Sequence, residues 1–374
     1  MEDLAWLPVL ISTLWITAGF VAVVLLTNRR VGRKGKLPPV SILKPLCGAD
    51  PDLERNLESF FVQDHPSFEL LFGVTDPLDP AADVARELAA RYPRVPCRVV
   101  VHDGDGALNP KVDNLLGLLP AAHNDLVLVS DSNVRAPAGY VRELAALYAR
   151  DKPGLVTNLF AGVGEDSLGA ALDNAHLCGF CAAGTALPTL LGDPLLVGKS
   201  AMFSRRRLER LGGLRRLSDV LAEDFVMGKT FAHAGERVVV APTVLENVTR
   251  TMTLKDMLAR HLRWSMLRFR LRPLAAVLEP VASPLALLPV AWLVLGPWAL
   301  AWALVLLTIR DVGGWIVLRG TARWYLPLLL SPLRELLVLC AWAAAPFKQH
   351  VFWRGKRFRL GAGTLLYLDP ERAP

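Results

Sequence analysis

The sequence predicts an α/β domain with a mostly parallel sheet, set between an N-terminal and a C-terminal membrane-spanning region. Three observations predict this class. Both ends of the chain carry apolar stretches of membrane length. The middle alternates short apolar runs with helical patterns, the pattern of βαβ units. Acidic residues stand just past the ends of several of those runs, where open α/β sheets bind their ligands.

The first apolar stretch, residues 4–27, contains no charged residue. As a helix it is about 36 Å long at ~1.5 Å per residue, enough to cross a bilayer. Only Glu2 and Asp3 precede it, whereas Arg29, Arg30, Arg33, Lys34 and Lys36 follow. The positive-inside bias therefore puts the middle of the chain in the cytoplasm. The acidic start and the length of the stretch argue against a cleaved signal peptide. A second apolar region, residues 281–308, holds Pro284, Pro289 and Pro297 and is open to reading as one kinked span or a helical hairpin. A third, 325–346, is interrupted by Arg334 and Glu335, which are expected to face protein or each other rather than lipid. Residues 312–318 are too short to span alone and read as re-entrant. The basic, aromatic tail from Trp353 to Arg359 suits a cytoplasmic interface, to which an even number of C-terminal spans returns it.

Bulk composition agrees with a mixed architecture. Of 374 residues, 52% are hydrophobic and 21% charged, too apolar for an ordinary soluble protein and too charged for a bare helical bundle. The net charge of +7 is compatible with nucleic acid, an anionic membrane surface or a phosphorylated substrate. Its position beside the apolar segments favours the membrane surface and gives no support to nucleic acid. Five cysteines, scattered and odd in number, do not form a disulfide framework. Cys178 and Cys181 have redox spacing without the early βαβ context such a site needs. Oligomeric state is not legible.

In the middle, strands are predicted over 40–43, 70–74, 98–101, 126–130, 155–159, 195–203 and 237–240. Helices are predicted over 52–61, 80–91, 110–119, 138–149, 206–211 and 220–234. The expected organisation is a membrane helix with its basic flank (1–36), a cytosolic catalytic domain (37–252), an amphipathic interface helix (253–274), and a C-terminal membrane region with a cytosolic tail (275–374).

Three acidic positions carry the candidate chemistry. Asp76 follows the second strand, Asp131 the fourth, and Glu223-Asp224 opens a helix. Asp76 and Asp131 also suit turns or helix caps when taken singly. Together, at the ends of strands in one sheet, they converge on one cleft. A strand-end carboxylate can hold a divalent cation that neutralises a diphosphate. A second carboxylate can take the proton of an attacking hydroxyl. Asp131 suits the first role, Asp224 the second, and Asp76 the recognition of a base or ribose. The run from Arg260 to Trp264 puts Arg260, Arg263 and Trp264 on one helical face, where arginines can clamp a diphosphate and Trp can stack on a sugar. Arg268, Arg270 and Arg272 continue it toward anionic lipid. Gly198-Lys199-Ser200 ends like a phosphate-binding loop, but the glycine that motif needs at position 193 is Asp193. Histidine and cysteine spacing supports no zinc site.

With these residues in view, the chain resembles the ceramide glucosyltransferases and their bacterial relatives, processive-type inverting enzymes of GT-A fold. The matching stretches are Val40 to Leu46, Asn109-Pro110-Lys111 to Leu115, Asp131-Ser132, Ala222 to Phe225, Arg260 to Trp264, and Trp353 to Leu360. The resemblance implies a GT-A nucleotide-diphospho-sugar transferase domain, a UDP-sugar donor, a lipid acceptor, a divalent cation (Mn²⁺ or Mg²⁺) and a place in a bacterial inner membrane. It implies Asp76, Lys111, Asp131 and Glu223 at the donor, with Asp131 at the metal. Asp224 is then the general base, and Arg260, Arg263 and Trp264 stand at the diphosphate and acceptor. There are two departures: the metal element reads Asp131-Ser132-Asn133 rather than Asp-x-Asp, and the region before Gly198, where the family has a histidine, holds His176, Cys178 and Cys181, so that residue's role does not carry over. A sister enzyme acting on hopanoids or other lipids is the nearest alternative. A nucleotide-binding membrane protein without catalysis is a more distant one.

Overall fold

A computed structural model describes residues 2–32, 36–50, 52–353 and 356–369. Helix α1 (Glu2–Thr27) leads into an alternation of strands and helices. These are β1 (Val40–Pro45), α2 (Leu53–Phe61), β2 (Phe68–Val74), α3 (Pro80–Arg91), β3 (Cys97–Val101), α4 (Pro110–Leu118), β4 (Leu126–Ser130), β5 (Val134–Arg135) and α5 (Tyr140–Asp151). There follow β6 (Leu155–Val163), α6 (Leu168–His176), α7 (Ala182–Leu190), β7 (Ser200–Ser204), α8 (Arg205–Arg210), α9 (Glu223–His233) and β8 (Val238–Val248). The C-terminal part comprises α10 (Leu254–Leu271), α11 (Pro273–Leu278), α12 (Leu288–Leu295), α13 (Trp298–Leu307), α14 (Gly314–Arg319), α15 (Tyr325–Ala344) and strands β9 (His350–Trp353), β10 (Lys356–Leu360) and β11 (Leu366–Leu368).

Eight strands form one sheet in the order β3-β2-β1-β4-β7-β6-β8-β5. β1 pairs in parallel with β2 on one side and β4 on the other, β2 with β3, and β6 with β8. β7 runs antiparallel between β4 and β6. Because the chain goes outward from β1 to β3 and returns to β4 on β1's other side, the order reverses at β1–β4. Crevices at such a reversal, beyond the carboxyl ends of the strands, are where α/β sheets bind ligands. Lys44 and Asp131 lie at that point.

The strands read as nearly continuous apolar runs because helices bury both faces. On one face Ile42, Leu70, Phe72 and Leu128 pack with Leu57 and Phe60 of α2 and Leu144 of α5. On the other, Leu43, Leu71, Val127 and Val129 pack with Leu115 of α4 and Phe231 of α9. Local signals set the helix starts. Asp79 and Asn109 accept backbone N–H bonds as N-caps with proline at the first helical position, and Thr253 caps α10.

Among the described residues, three helices are long and apolar enough to cross a membrane: Ala5–Thr27, Trp298–Arg319 and Tyr325–Phe347. The second joins α13 and α14 through a π-turn, Thr308–Gly313. Residues 312–318 are therefore the latter half of one span, not a re-entrant segment. Within it, Arg310 and Asp311 pair with each other at 2.9 Å and face α15. Arg334 of α15 reaches Asp311 at 2.8 Å, and Glu335 reaches Arg310 at 2.7 Å, as expected of charges turned from lipid. The proline-rich region ahead resolves as a hairpin: α12 ends at Gly296, whose φ of 55° turns the chain into α13.

The structure departs from the sequence reading in four further places. Residues 195–199, expected as strand, form a loop; Leu196 packs close to Gly228 of α9. The helix expected from residue 220 starts at Glu223, because residues 219–222 bond to the tail: Leu221 N donates to Thr364 O at 3.0 Å and Leu366 N to Asp219 O at 2.7 Å. Helices α6 and α7, rich in small residues and largely buried, lie outside the predicted helices. The tail, given no secondary structure in the sequence reading, is a three-stranded antiparallel sheet, β11-β10-β9.

Candidate active site

Asn109, Pro110 and Lys111 build the near wall of the crevice. Asn109 Oδ1 accepts from the backbone of Lys111 and Val112 at 3.0 and 3.2 Å. Its Nδ2 donates to Val220 O at 2.7 Å and to Glu223 at 3.2 Å. One side chain thus ties the N-termini of α4 and α9 together. From the first turn of α4, the Lys111 ammonium reaches Asp131 Oδ1 at 2.8 Å, Glu223 Oε1 at 3.2 Å and the carbonyl of Gly198 at 2.8 Å.

Asp131 follows the last residue of β4 and is held from both ends. Its carbonyl accepts from buried Lys44 at 2.8 Å, and Lys44 also lies 3.6 Å from the centre of the Phe60 ring. Its Oδ2 takes the Lys199 ammonium at 3.0 Å. Burial pushes the carboxyl up, but Lys111 and Lys199 outweigh it and hold Asp131 well below the usual carboxylate range. Burial likewise opposes the Lys111 charge, and Asp131 and Glu223 reverse that, raising Lys111 above the ordinary lysine value. Glu223 and Asp224 go the other way: burial raises both above ordinary carboxylates, with the Lys111 charge opposing.

Asp224 Oδ2 accepts from Gly198 N at 2.7 Å and Oδ1 from Phe225 N at 2.7 Å. A Cβ at position 198 would stand 2.7 Å from Asp224 Oδ2, so the loop approaches this closely only as glycine. The Gly198-Lys199 pair, rejected as a phosphate-binding loop, instead supplies a backbone donor to Asp224 and an ammonium to Asp131. We expect Gly198→Ala to displace the Asp224 carboxylate and lower turnover about tenfold or more, with a small change in Tm; steady-state kinetics and a melt check it.

A divalent cation can be weighed against these residues. The Lys199 ammonium lies between Asp131 Oδ2, at 3.0 Å, and Asn133 Oδ1, at 3.3 Å. The Asn133 amide is oriented by its donation to Asn247 at 3.1 Å. Two oxygens therefore converge on one cation, and Mg²⁺ or Mn²⁺ needs few protein oxygens when phosphates complete its shell. The donor set fits an ion shared with a diphosphate. Among the described residues, no group of three or more His, Cys, Asp or Glu side chains could hold one without it.

Asp76 is exposed, beyond β2, and its carboxylate accepts from Leu78 N at 2.9 Å in a turn. With β1 between β2 and β4, it stands roughly two strand spacings, about 10 Å, along the sheet edge from Asp131.

On α10, Arg260 donates to Asp173 Oδ2 at 2.7 Å and lies 5.9 Å from the Trp264 ring centre. His261 lies 3.2 Å from the other Asp173 oxygen. Arg263 has no hydrogen-bond or ion-pair partner among the described residues, and burial, with the charge of Arg260, lowers its guanidinium to about 10. α10 and the acidic loop share one small core with the tail sheet: Leu221, Met266, Phe358, Leu360 and Leu366 pack together. Sequence reasoning missed Asp173 and the Thr364 turn, and singled out Asn109 only within the Asn109-Pro110-Lys111 element, without its link to Glu223. Asp173 sits on the unpredicted α6.

The fold and the crevice define a class, the GT-A-type nucleotide-diphospho-sugar transferase fold with membrane helices attached. A mannosyltransferase from Pyrobaculum calidifontis, solved in complex with GDP-Man and Mn²⁺, aligns with a TM-score of 0.51 at 20% identity over 91% of this chain and 99% of that one. At that identity the likeness concerns the fold. The chain itself belongs to glycosyl transferase family 21, whose sequence profile matches residues 5–366. Ceramide glucosyltransferase 1 of Caenorhabditis elegans is 29% identical over 246 residues, 66% of this chain and 53% of that protein. Ceramide glucosyltransferase of Komagataella phaffii is 38% identical over 104 residues, 27% of this chain and 20% of that protein. The chain spans about half the length of the first of these relatives.

Proposed function

We propose that the protein is an inverting glycosyltransferase that moves a sugar, in our reading glucose, from a UDP-sugar to a membrane lipid, in our reading ceramide. The observation that carries this is the acidic cluster around Lys111 at the sheet's reversal point, combined with the unpaired Arg263 on a helix that leads into the membrane region. Kinship with ceramide glucosyltransferases supports the choice of acceptor.

In the reaction, Asp224 accepts the proton of the lipid hydroxyl as its oxygen bonds to the anomeric carbon. The bond from that carbon to the phosphate oxygen breaks on the opposite side, UDP leaves, and the configuration inverts. Arg263, with Arg260 beside it, offers charge to the departing diphosphate. Trp264 borders the sugar, and Asp76 stands where the base or ribose would lie. Glu223 and Lys111 hold the charge balance around Asp131. A divalent cation, when bound by Asp131 and Asn133, neutralises the diphosphate. We read the catalytic domain as 37–252, with 253–274 as the interface helix. The arginines and lysines after α1 favour a cytoplasmic face for that domain, in a bacterial inner membrane.

The test is transfer itself. The full-length protein in lipid nanodiscs is given UDP-glucose, Mn²⁺ and a short-chain ceramide, and the lipids are read by mass spectrometry. A hexosylated ceramide is expected; no turnover with any sugar nucleotide overturns the reading. A hopanoid acceptor, run in parallel, separates the sister activity. Chelation with EDTA should stop turnover and Mn²⁺ restore it, and Asp131→Ala should retain no metal-dependent activity. Arg263→Ala should cost about a hundredfold in kcat/KM.

A further inference from the structure

Helix α15 has the length and composition of a membrane span, yet both of its ends are fastened to the α/β domain. Just ahead of it, Arg319 pairs at 3.0 Å with Glu165, past the end of β6, and Arg323 donates to the carbonyl of the same residue at 3.3 Å. Just after it, Ala345 packs with Leu221 of the acidic loop, and the carbonyl of Lys348 accepts from Arg270 of α10 at 3.1 Å. The helix has 20 residues and is about 30 Å long, the thickness of a bilayer's hydrocarbon core. A crossing would carry its C-terminus to the opposite face of the membrane, away from the loop on which Ala345 rests.

Between its ends α15 follows the domain. Leu326 packs against Ala175 and Cys178 at the end of α6, and Arg334 Nη1 lies 3.5 Å from His176. Trp342 Nε1 donates to the carbonyl of Ala276 in α11 at 2.7 Å, and its ring meets that of Phe269 in α10 at 6.0 Å. The preceding segment behaves otherwise. It starts at the domain, where Arg272 bonds Asp193 at 2.5 Å, and returns to it at Arg319. Midway, Ala291 and Ala299 pack with Val9 of α1, and Trp302 donates to Thr13 at 3.0 Å. Val9 is about 27 Å of helix from the domain end of α1 at Thr27. Residues 273–319 therefore go out along α1 and come back, and α15 begins and ends on the domain's side.

The surface of α15 fits that position. Tyr325, Leu329, Leu333, Leu336 and Cys340 are exposed, and their spacing of three and four residues puts them on one side of the helix. Ser331, Arg334, Glu335 and Ala341 are buried on the other. The apolar stripe runs nearly the full length, while both charges face protein. Through the Trp342–Ala276 bond the helix adjoins α11, whose Leu274, Val277 and Leu278 are exposed where the chain starts its outward leg. The stripe is thus continuous with surface that lipid already covers. Helices lying in a membrane interface bury such a face about 5–10 Å into the acyl boundary.

We propose that α15 does not cross the membrane but lies in the plane of the leaflet beneath the α/β domain, with the stripe from Tyr325 to Cys340 against acyl chains and the Arg334 face on α6 and α10. The domain is then seated on the bilayer along the whole of this helix, and α10 rides above it at a fixed height. The tail emerges on the same side as the domain. None of this depends on the reaction assigned above.

The experiment has two arms, both with the full-length protein in sealed vesicles. In the first, exposed Cys47 and Cys340 are replaced by serine, and Thr321→Cys and Gln349→Cys, one at each end of α15, are treated with a membrane-impermeant maleimide from either side. Both should react from the side on which Cys47 of the α/β domain reacts in the wild type. Reaction of Gln349→Cys from the opposite side overturns the proposal. In the second arm a nitroxide is placed at Leu329→Cys, Leu333→Cys, Leu336→Cys or the native Cys340, each as the one exposed cysteine. Its accessibility to oxygen and to a water-soluble nickel complex reads its depth. All four should lie among acyl chains at one shallow depth. A crossing helix would separate positions 329 and 340 by about 16 Å of depth, and such a gradient overturns the proposal. Water-like accessibility along the stripe overturns it too, since the partner is then not lipid.

Discussion

Asp224→Asn is expected to yield a folded protein that still binds UDP-sugar and turns it over about 10²–10⁴-fold more slowly. The carboxylate acts as a base only in the transition state, so its loss falls on kcat rather than on donor affinity. The pH profile gives a second readout. Burial raises Asp224 and its neighbour Glu223 above ordinary carboxylates. A base works deprotonated, so the acidic limb of kcat/KM should lie above the usual carboxylate range, with activity falling as pH drops through it. In Asp224→Asn the residual rate should lose that limb. Some stability is lost too, because Asp224 accepts from two backbone N–H groups and an asparagine turns an NH₂ toward one of them. Donor binding by calorimetry, alongside kinetics, checks the prediction; loss of UDP-sugar binding would remove Asp224 from the base role.

Lys111→Met is the second large effect, and it acts on folding as well as catalysis. The ammonium lies against Asp131 and Glu223 in a buried cluster. Removing it leaves three carboxylates with Lys199 as the remaining cation on Asp131. Breaking one side of such a buried arrangement costs about 3–5 kcal/mol. The cost depends on pH in a definite sense. Without Lys111, Glu223 and Asp224 rise further above their unfolded values, so the folded state binds more protons and loses stability as pH rises through that window. The variant's deficit in Tm should therefore shrink on acidification, and Lys111→Arg should recover much of the stability. Equal deficits at acidic and neutral pH would mean that Lys111 holds the site by packing alone.

How much of this was legible follows from which forces were local. The strands around β1 were read within a few residues because helices bury both of their faces, leaving continuous apolar runs. The caps at Asp79 and Asn109 are local as well, each set by one side chain and a following proline. Asp131 was found because a carboxylate past a strand end stands out in sequence, and Asp224 because an acidic pair opens a helix. Their partner Lys111 was reached only through family resemblance, since nothing near it in the chain says it will face two acids. Asp173 went unnoticed because α6 is rich in small residues and buried from Gly169 to His176, so it shows no polar face. That composition has a tertiary reason: Gly169 lies against the backbone carbonyl of Met252.

By itself, the sequence determined that apolar spans flank an α/β domain, and which acids and arginines could carry chemistry there. Hydrophobic period, caps and strand-end acids act over a few residues, so they are written in order along the chain. Tertiary structure alone decided that Lys111 and Lys199 meet on Asp131, that Gly198 bonds Asp224, and that the tail folds onto the acidic loop. It also decided that Arg310, Asp311, Arg334 and Glu335 pair with one another. These contacts join residues far apart in the chain, and a sheet whose order reverses at β1–β4 brings the acid cluster together.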